Sequence, residues 1–394
     1  MSPVALPVAT AAVLHGATDL RVEQRTVWPP RAGEAQVAIF STGLCGSDLH
    51  YYTHGRNGDF VVREPLVLGH EAAGVITALG EGVSHLHVGQ HVAIEAGVMC
   101  RSCSHCLGGR YNLCPRLRFA SSAKTFPHLD GTLQTRMNHP AHLLHPVPEH
   151  CSPERAALAE PLSVVLHALR RASLQPGHTV LVLGAGSIGI LAAAVAKALG
   201  ASRVAAADIN RARLDWAHGH GIADDIYHIE LSSPSSTSTR SNNNAEKNSN
   251  SKPGDESIRR ARENSQHALK VFGALEGFDI VMECTGAESS AQMGIFCART
   301  GGKLMLVGMG TPNMNLPISA AATREVDILG TFRYANTYPS ALALLGAGVL
   351  RGVDDLVTHR FPLEKSEEAF TLMRKGFDDH GNVVLKVMVQ STTN

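Results

Sequence analysis

Residues 179–196, TVLVLGAGSIGILAAAVA, run for 18 residues without a charge. That length is close to the lower limit for a membrane-spanning helix. Gly184, Gly186 and Gly189 interrupt the run, and glycine weakens a helix interior. The stretch reads instead as a buried strand (TVLVLG), a glycine turn and a buried helix over 189–199. A second strand, RVAAAD, ends at Asp208, 19 residues after Gly189. A G-x-G-x-x-G turn between strand and helix, with an acidic residue closing the next strand, is the pattern of a dinucleotide site. The glycines let the backbone approach a pyrophosphate, and the helix N-terminus favours its charge. Asp208 would bond the adenosine ribose and repel a 2′-phosphate, which favours NAD over NADP. Arg213 is of the type that binds such a phosphate, so Asp208 is taken as the deciding group.

The rest of the chain extends this pattern. Strand-like stretches at FDIVMECTG and GKLMLVGMG follow RVAAAD, and strands alternating with helices imply a doubly wound parallel sheet. Before it, 35–40, 72–79 and 90–94 read as short strands cut by Pro and Gly, and 162–172 reads as a helix. After about residue 331, helices are expected at 337–347 and 364–375, then a last strand, NVVLKVMV. Residues 232–256, SSPSSTSTRSNNNAEKNSNSKPGDE, are nearly free of apolar side chains. They cannot bury enough surface to offset ordering entropy and read as a disordered surface insertion. Two domains are expected. One is a split catalytic domain, 1–162 and 332–394, with a β-rich, partly barrel-like core. The other is a cofactor domain, 163–331, with the active site in the cleft between them.

Cys100, Cys103, Cys106 and Cys114 form C-x2-C-x2-C-x7-C in a polar, Gly-rich stretch. Four thiolates this close suit a tetrahedral zinc, and a closed four-sulfur site is structural. Cys151, Cys284 and Cys297 lack such spacing and read as buried apolar thiols. His139, His142 and His145 are spaced by three, but Pro140 and Pro146 argue against a helix presenting them together, so packing or solvated histidines are expected. His85, His87 and His91 read the same way.

A second set of chemistry-bearing residues lies in the stretches GLCGSDLH (43–50), GHE (69–71) and AEP (159–161). Cys45, His70 and either Glu71 or Glu160 are of ligand type, and three protein ligands with an open position make a catalytic zinc. Together with GLCGSDLHYY, REPLVLGHEAAG, AEPLSV, VLGAGSIG, ECTGAESS and AATREVDILGTFRYANTYP, these residues resemble the zinc-dependent medium-chain dehydrogenase superfamily. Within it they resemble the sorbitol (L-iditol) dehydrogenase family of polyol dehydrogenases. The likeness covers nearly the whole chain except residues about 231–268. Tyr51, Glu160-Pro161 and Phe332-Arg333-Tyr334 mark the polyol branch.

The resemblance implies a Rossmann-type domain beside a β-rich GroES-like domain. It implies a catalytic zinc at Cys45, His70 and Glu71 with Glu160 close by, and leaves open which glutamate is the inner ligand. Tyr51, Glu160, Arg333 and Tyr334 would contact polyol hydroxyls, and Phe60, Phe119 and Phe332 would wall the pocket. Gly184, Gly186, Ile188, Gly189, Asp208, Arg213, Val307, Gly308, Met309, Thr331, Phe332 and Arg333 would line NAD. The proton would leave by way of Glu160, Ser47 or His50. The implied reaction is oxidation of sorbitol or xylitol to the ketose, with L-arabinitol less suited to Phe60 and Phe332. A zinc alcohol or threonine-type dehydrogenase fits Arg333-Tyr334 and Glu160-Pro161 less well. A non-catalytic member of the superfamily would be expected to lack some of Cys45, His70 and Glu71. A homo-oligomer, dimer or tetramer, is expected from the family.

Composition closes off other classes. Lys+Arg and Asp+Glu are both 35, so no basic field exists to hold nucleic acid or an anionic membrane. The cysteine cluster also lacks the recognition helix of a zinc-finger nucleic acid binder. The apolar first 16 residues carry no cationic leader, so a cytoplasmic protein is expected.

Overall fold

The computed structural model describes residues 8–230 and 253–391. The chain divides into two units, Met1–His167 with Phe332–Asn394, and Ala168–Thr331. The division falls inside the helix Ala159–Arg171, which starts three residues before the expected 162.

The second unit holds a parallel sheet of six strands among the described residues. Across the sheet they run Asp225–His228, Arg203–Asp208, Thr179–Leu183, Phe278–Glu283, Ala298–Leu306 and Asp327–Gly330. In chain order within this unit that is 3-2-1-4-5-6, the doubly wound order. The order reverses between Thr179–Leu183 and Phe278–Glu283, and the glycine turn leaves the first of these two. Leu181, Leu183, Phe278, Val281, Met293, Ile295 and Leu304 form its core. The helix Ser187–Ala198 begins two residues before the expected 189. Gly186 is its N-cap, which leaves the first amides of the helix facing the turn. Gly184 takes φ +99, a left-handed conformation open to glycine. A Cβ on Gly189 would overlap the Gly184 carbonyl oxygen, so glycine here sets how closely the helix packs on its strand.

The expected insertion at 232–256 lies mostly outside the described residues. Its last four residues require a correction, because a helix begins at Pro253 and continues to Phe272. The amphipathic stretch downstream, with Ala261, Ala268, Leu269 and Phe272 in the core, extends the helix back through the polar 253–256.

In the first unit a sheet of seven strands among the described residues centres on Glu34–Gly43. That strand is flanked by Glu71–Leu79 and Lys386–Gln390, and Arg136–Pro140 also pairs with it. The last strand is shorter than the expected 382–389, starting only at Lys386. The core gathers Leu14, Leu44, Tyr51, Leu66, Leu68, Leu133, Phe370 and Val387. No helix among the described residues is long and apolar enough to cross a membrane.

Replacing Gly189 by Ala forces a methyl against the Gly184 carbonyl. Overpacking of this kind costs about 1–3 kcal/mol. The expected result is weaker NAD binding together with a lower melting temperature, read by cofactor fluorescence titration and calorimetry. Unchanged NAD affinity would contradict the packing role.

Candidate active site

The first unit brings Cys45, His70 and Glu71 together. One ligand atom from each lies within 4.8 Å of the others. Cys45 is the N-cap of the helix Gly46–His54, two residues beyond the end of the central strand. Gly69, at φ +87, turns the chain so that Glu71 opens the neighbouring strand with His70 just before it. A side chain on Gly69 would also strike Thr42 Cγ2 at 2.6 Å.

Asp48 holds this arrangement. Its carboxylate is fully buried. It accepts from the Cys45 amide at 3.1 Å, the Gly69 amide at 3.2 Å and the Ser121 hydroxyl at 2.5 Å. His70 Nδ1 lies 3.3 Å from Asp48 Oδ1. Burial pushes the Asp48 carboxyl up, but the His70 charge and these hydrogen bonds outweigh it, and the group stays below the usual carboxylate range. A carboxylate on one imidazole nitrogen fixes ring and tautomer, and it is the usual outer partner of a metal-binding histidine.

Glu71 has its own support. Lys386 Nζ donates to Glu71 Oε2 at 2.5 Å and to the Leu44 carbonyl at 3.1 Å, and both side chains are buried. The two residues open strands on opposite sides of the end of Glu34–Gly43. They meet because position 43 is glycine; a Cβ there would overlap Glu71 Oε2. Removing one member of a buried ion pair typically costs about 3–5 kcal/mol.

Glu160 lies in the first turn of the helix Ala159–Arg171 and is buried. Burial pushes its carboxyl up to about 7, the His70 charge pulls it down, and the Glu71 charge raises it. Phe119 meets His70 edge-on at 5.5 Å, and the Arg333 guanidinium lies 3.5 Å from the Phe119 ring centre. Arg333 also reaches Ser122 Oγ at 3.4 Å, and burial brings its pKa down to about 10. Tyr334 is buried, with its ring 6.4 Å from Phe119. Phe332 stacks loosely under Lys124 and Arg333, each 5.0 Å from the ring. Tyr51 is buried and its hydroxyl accepts from the Ala123 amide at 3.1 Å. Phe60 packs against the core around Leu44 and Tyr51. Ser47 is half-buried; His50 is exposed and stacks on His54 at 5.9 Å.

The four-cysteine loop forms a second cluster, with its sulfurs within 4.8 Å of one another. The Ser102 amide is the main cause pulling the Cys100 thiol down to about 5, while burial and neighbouring thiols push Cys106 up to about 12. Crowded thiols that cannot all ionise together are what a soft dication relieves. This donor set fits a structural zinc, and a sulfur, an imidazole held by a carboxylate, and a carboxylate fit a catalytic one. His139 and His145 instead gather on Glu95, on its carbonyl at 2.9 Å and its carboxylate at 2.7 Å. Cys151 and Cys297 are buried, whereas Cys284 is only half-buried overall.

In the second unit a cavity of about 550 Å³ is lined by Gly184, Asp208, Ser257, Arg260, Asn264 and Thr285, among others. Asp208 binds the Ala185 amide at 2.5 Å and the Asn210 amide at 2.6 Å, bracing the glycine turn. Arg213 Nη1 lies 3.8 Å from where a Gly186 Cβ would stand. Ile188 lies in the first turn of the helix that follows. Val307 and Gly308 donate to the Glu283 carbonyl, Met309 is exposed, and Thr331 is half-buried near the end of the unit. Phe332 and Arg333, expected at the cofactor, belong to the first unit, Arg333 lying over Phe119.

Sequence reasoning missed Asp48, Ser121, Lys386 and the helix face Ser257, Arg260 and Asn264. Asp48 was findable as an acid at the third helical position after Cys45, the pattern of a capping box. Lys386, a lone charge in an apolar strand, signals a buried partner. Nothing in the sequence pointed to Ser257.

Two family descriptions match the chain, "Alcohol dehydrogenase GroES-like domain" over residues 31–149 and "Zinc-binding dehydrogenase" over 187–347. Sorbitol dehydrogenase of Bos taurus is 41% identical over 391 residues, covering 99% of this chain and 98% of its own. Sorbitol dehydrogenase of Rattus norvegicus is 42% identical over 384 residues, covering 97% of this chain and 96% of its own. Among solved structures, L-idonate 5-dehydrogenase of Escherichia coli superposes with a TM-score of 0.79 at 28% identity, covering 98% of each chain.

Asp48→Asn keeps the shape of the side chain and removes its charge. Zinc affinity at Cys45, His70 and Glu71 is expected to fall about 10–100-fold, while the four-cysteine site keeps its metal. Chelator titration with zinc analysis reads both. Equal affinity in the variant would contradict the role given to Asp48.

Proposed function

The chain belongs to the sorbitol dehydrogenase family of zinc-binding medium-chain dehydrogenases, and from that premise we propose that its preferred substrate is sorbitol, oxidised to the ketose, with xylitol close behind. It is an NAD-dependent, zinc-dependent polyol dehydrogenase acting on a secondary alcohol. In the reaction a carbon-bound hydride passes to NAD as co-substrate and the hydroxyl proton passes to solvent. The observation that carries the polyol reading is the grouping of Arg333, Tyr334 and Glu160 with the cluster of Cys45, His70 and Glu71. A polyhydroxylated substrate needs several polar anchors, and a site built to bond hydroxyls discriminates strongly against analogues lacking them.

Cys45, His70 and Glu71 would hold the catalytic zinc, and Cys100, Cys103, Cys106 and Cys114 the structural one. Zinc, when bound, supplies Lewis acidity that favours the ionised alcohol. The remaining work falls to the chain. Asp48 keeps the His70 ring oriented, and Lys386 holds Glu71 in place. Glu160, with a pKa lifted toward neutrality by burial, is suited to accept the hydroxyl proton and pass it on by way of Ser47 or His50. Arg333, laid against Phe119, would donate to substrate hydroxyls, with Tyr334 and Tyr51 beside it. Phe119 and Phe332 would exclude water from the apolar side, and Phe60 would support the wall from the core. Gly184, Gly186 and Gly189 would admit the pyrophosphate, and Asp208 the ribose. A homo-oligomer, dimer or tetramer, and a cytoplasmic setting complete this reading; the family likeness supports both.

The test is a panel of sorbitol, xylitol, L-arabinitol and a simple secondary alcohol with NAD and NADP. Sorbitol and xylitol with NAD are expected to give the highest kcat/KM. Preference for the simple alcohol would overturn the polyol reading. Glu160→Gln is expected to lower kcat about 100-fold, within the range for loss of a general base, with zinc content unchanged. A variant with full turnover would remove Glu160 from the proton path.

A further inference from the structure

Residues 332–336, FRYAN, form no helix or strand. Two of them, Arg333 at φ +51 and Asn336 at φ +57, sit in the left-handed region without being glycine. Such a backbone persists only where its surroundings hold it. Here the holding groups come from the four-cysteine loop. Asn336 Nδ2 donates to the Gly109 carbonyl at 2.6 Å, and the Asn336 amide donates to the Tyr111 hydroxyl at 2.8 Å. Asn112 Nδ2 donates to the Phe332 carbonyl at 2.9 Å. Gly109, Tyr111 and Asn112 all lie between Cys106 and Cys114.

The loop itself is anchored behind these contacts. The Tyr111 hydroxyl donates to Glu95 Oε1 at 2.7 Å while accepting from Asn336. Glu95 is buried and also bonds His145 Nε2 at 2.7 Å. A chain of hydrogen bonds therefore runs from His145 through Glu95 and Tyr111 to the backbone of Asn336. At its other end the FRYAN segment turns the Arg333 guanidinium onto Phe119, with Nη1 buried and without a hydrogen-bond partner among the described residues.

We propose that the four-cysteine loop, through Tyr111, Asn112 and Gly109, clamps residues 332–336 and thereby sets polyol affinity. Its role then goes beyond stabilising the fold. Tyr111, Asn112 and Asn336 are positioning residues that act through Arg333 and Tyr334. The inference rests on the reading that these last two contact the polyol.

The experiment compares the zinc-loaded wild type with Asn336→Ala and Tyr111→Phe, the second losing a single hydroxyl so that folding is spared. Amide hydrogen exchange over 332–337 is measured by mass spectrometry without any polyol present. KM and kcat for sorbitol, KM for NAD and zinc per chain are measured on the same samples. Faster exchange confined to 332–337 is expected, with sorbitol KM raised about 5-fold per lost hydrogen bond. The kcat should stay within about 2-fold, on the same principle that the lost bonds act on binding, and NAD KM and zinc should stay unchanged. Unchanged exchange in both variants overturns the clamp whatever KM does. Faster exchange with unchanged sorbitol KM overturns the link to affinity and places the fault in the contacts assigned to Arg333 and Tyr334. A lower melting temperature with neither effect shows a purely structural loop and also overturns the proposal.

Discussion

The site depends on one buried negative charge. Asp48 has no solvent to stabilise it and must be satisfied by the protein. It achieves this by collecting the Cys45 amide, the Gly69 amide, the Ser121 hydroxyl and the His70 ring. Those groups come from three separate segments of the chain, and three of the four belong to, or adjoin, residues of the candidate metal cluster. The same bonds that make the carboxylate tolerable also bring Cys45 to His70. Lys386 and Glu71 repeat the device on the other side of the glycine that ends the central strand. Charge satisfaction and site assembly are thus a single requirement, and the apolar core around Leu44, Leu68 and Val387 supplies the low dielectric that enforces it.

The features legible in the sequence were those carried by local spacing. The glycine turn with Asp208, each strand–helix step of the doubly wound alternation and the cysteine loop lie within a few tens of residues, so periodicity and motif suffice. The supports were harder to see because their partners are far apart in the chain. Lys386 and Glu71 are separated by 315 residues, and Asn112 and Phe332 by 220. No local pattern encodes such pairings. The helix Pro253–Phe272 is absent from the sequence reading, which gives its first four residues to the insertion, for a related reason. Its first turn is polar, and only the apolar face further along, packed on the sheet, commits those residues to helix.

The two units divide the chemistry. The doubly wound unit braces a turn of glycines with Asp208 and leaves a cavity beside it; the β-rich unit holds two separate clusters of metal-binding type. Within the β-rich unit the clusters are not independent. The cysteine loop bonds the segment that carries Arg333, and Arg333 lies on the ring that also meets His70. A loop whose thiols alone would suggest a stabilising role is therefore connected, through three hydrogen bonds, to the residues that would read the substrate.

The most direct test of this account is a zinc anomalous difference map of the protein. It predicts two peaks per chain. One should be bonded to Cys45, His70 and Glu71 at about 2.0–2.3 Å, with Asp48 still on the far nitrogen of His70. The other should lie among Cys100, Cys103, Cys106 and Cys114. A map with no peak at Cys45, or with Glu160 replacing Glu71 as the bonded carboxylate, would contradict it.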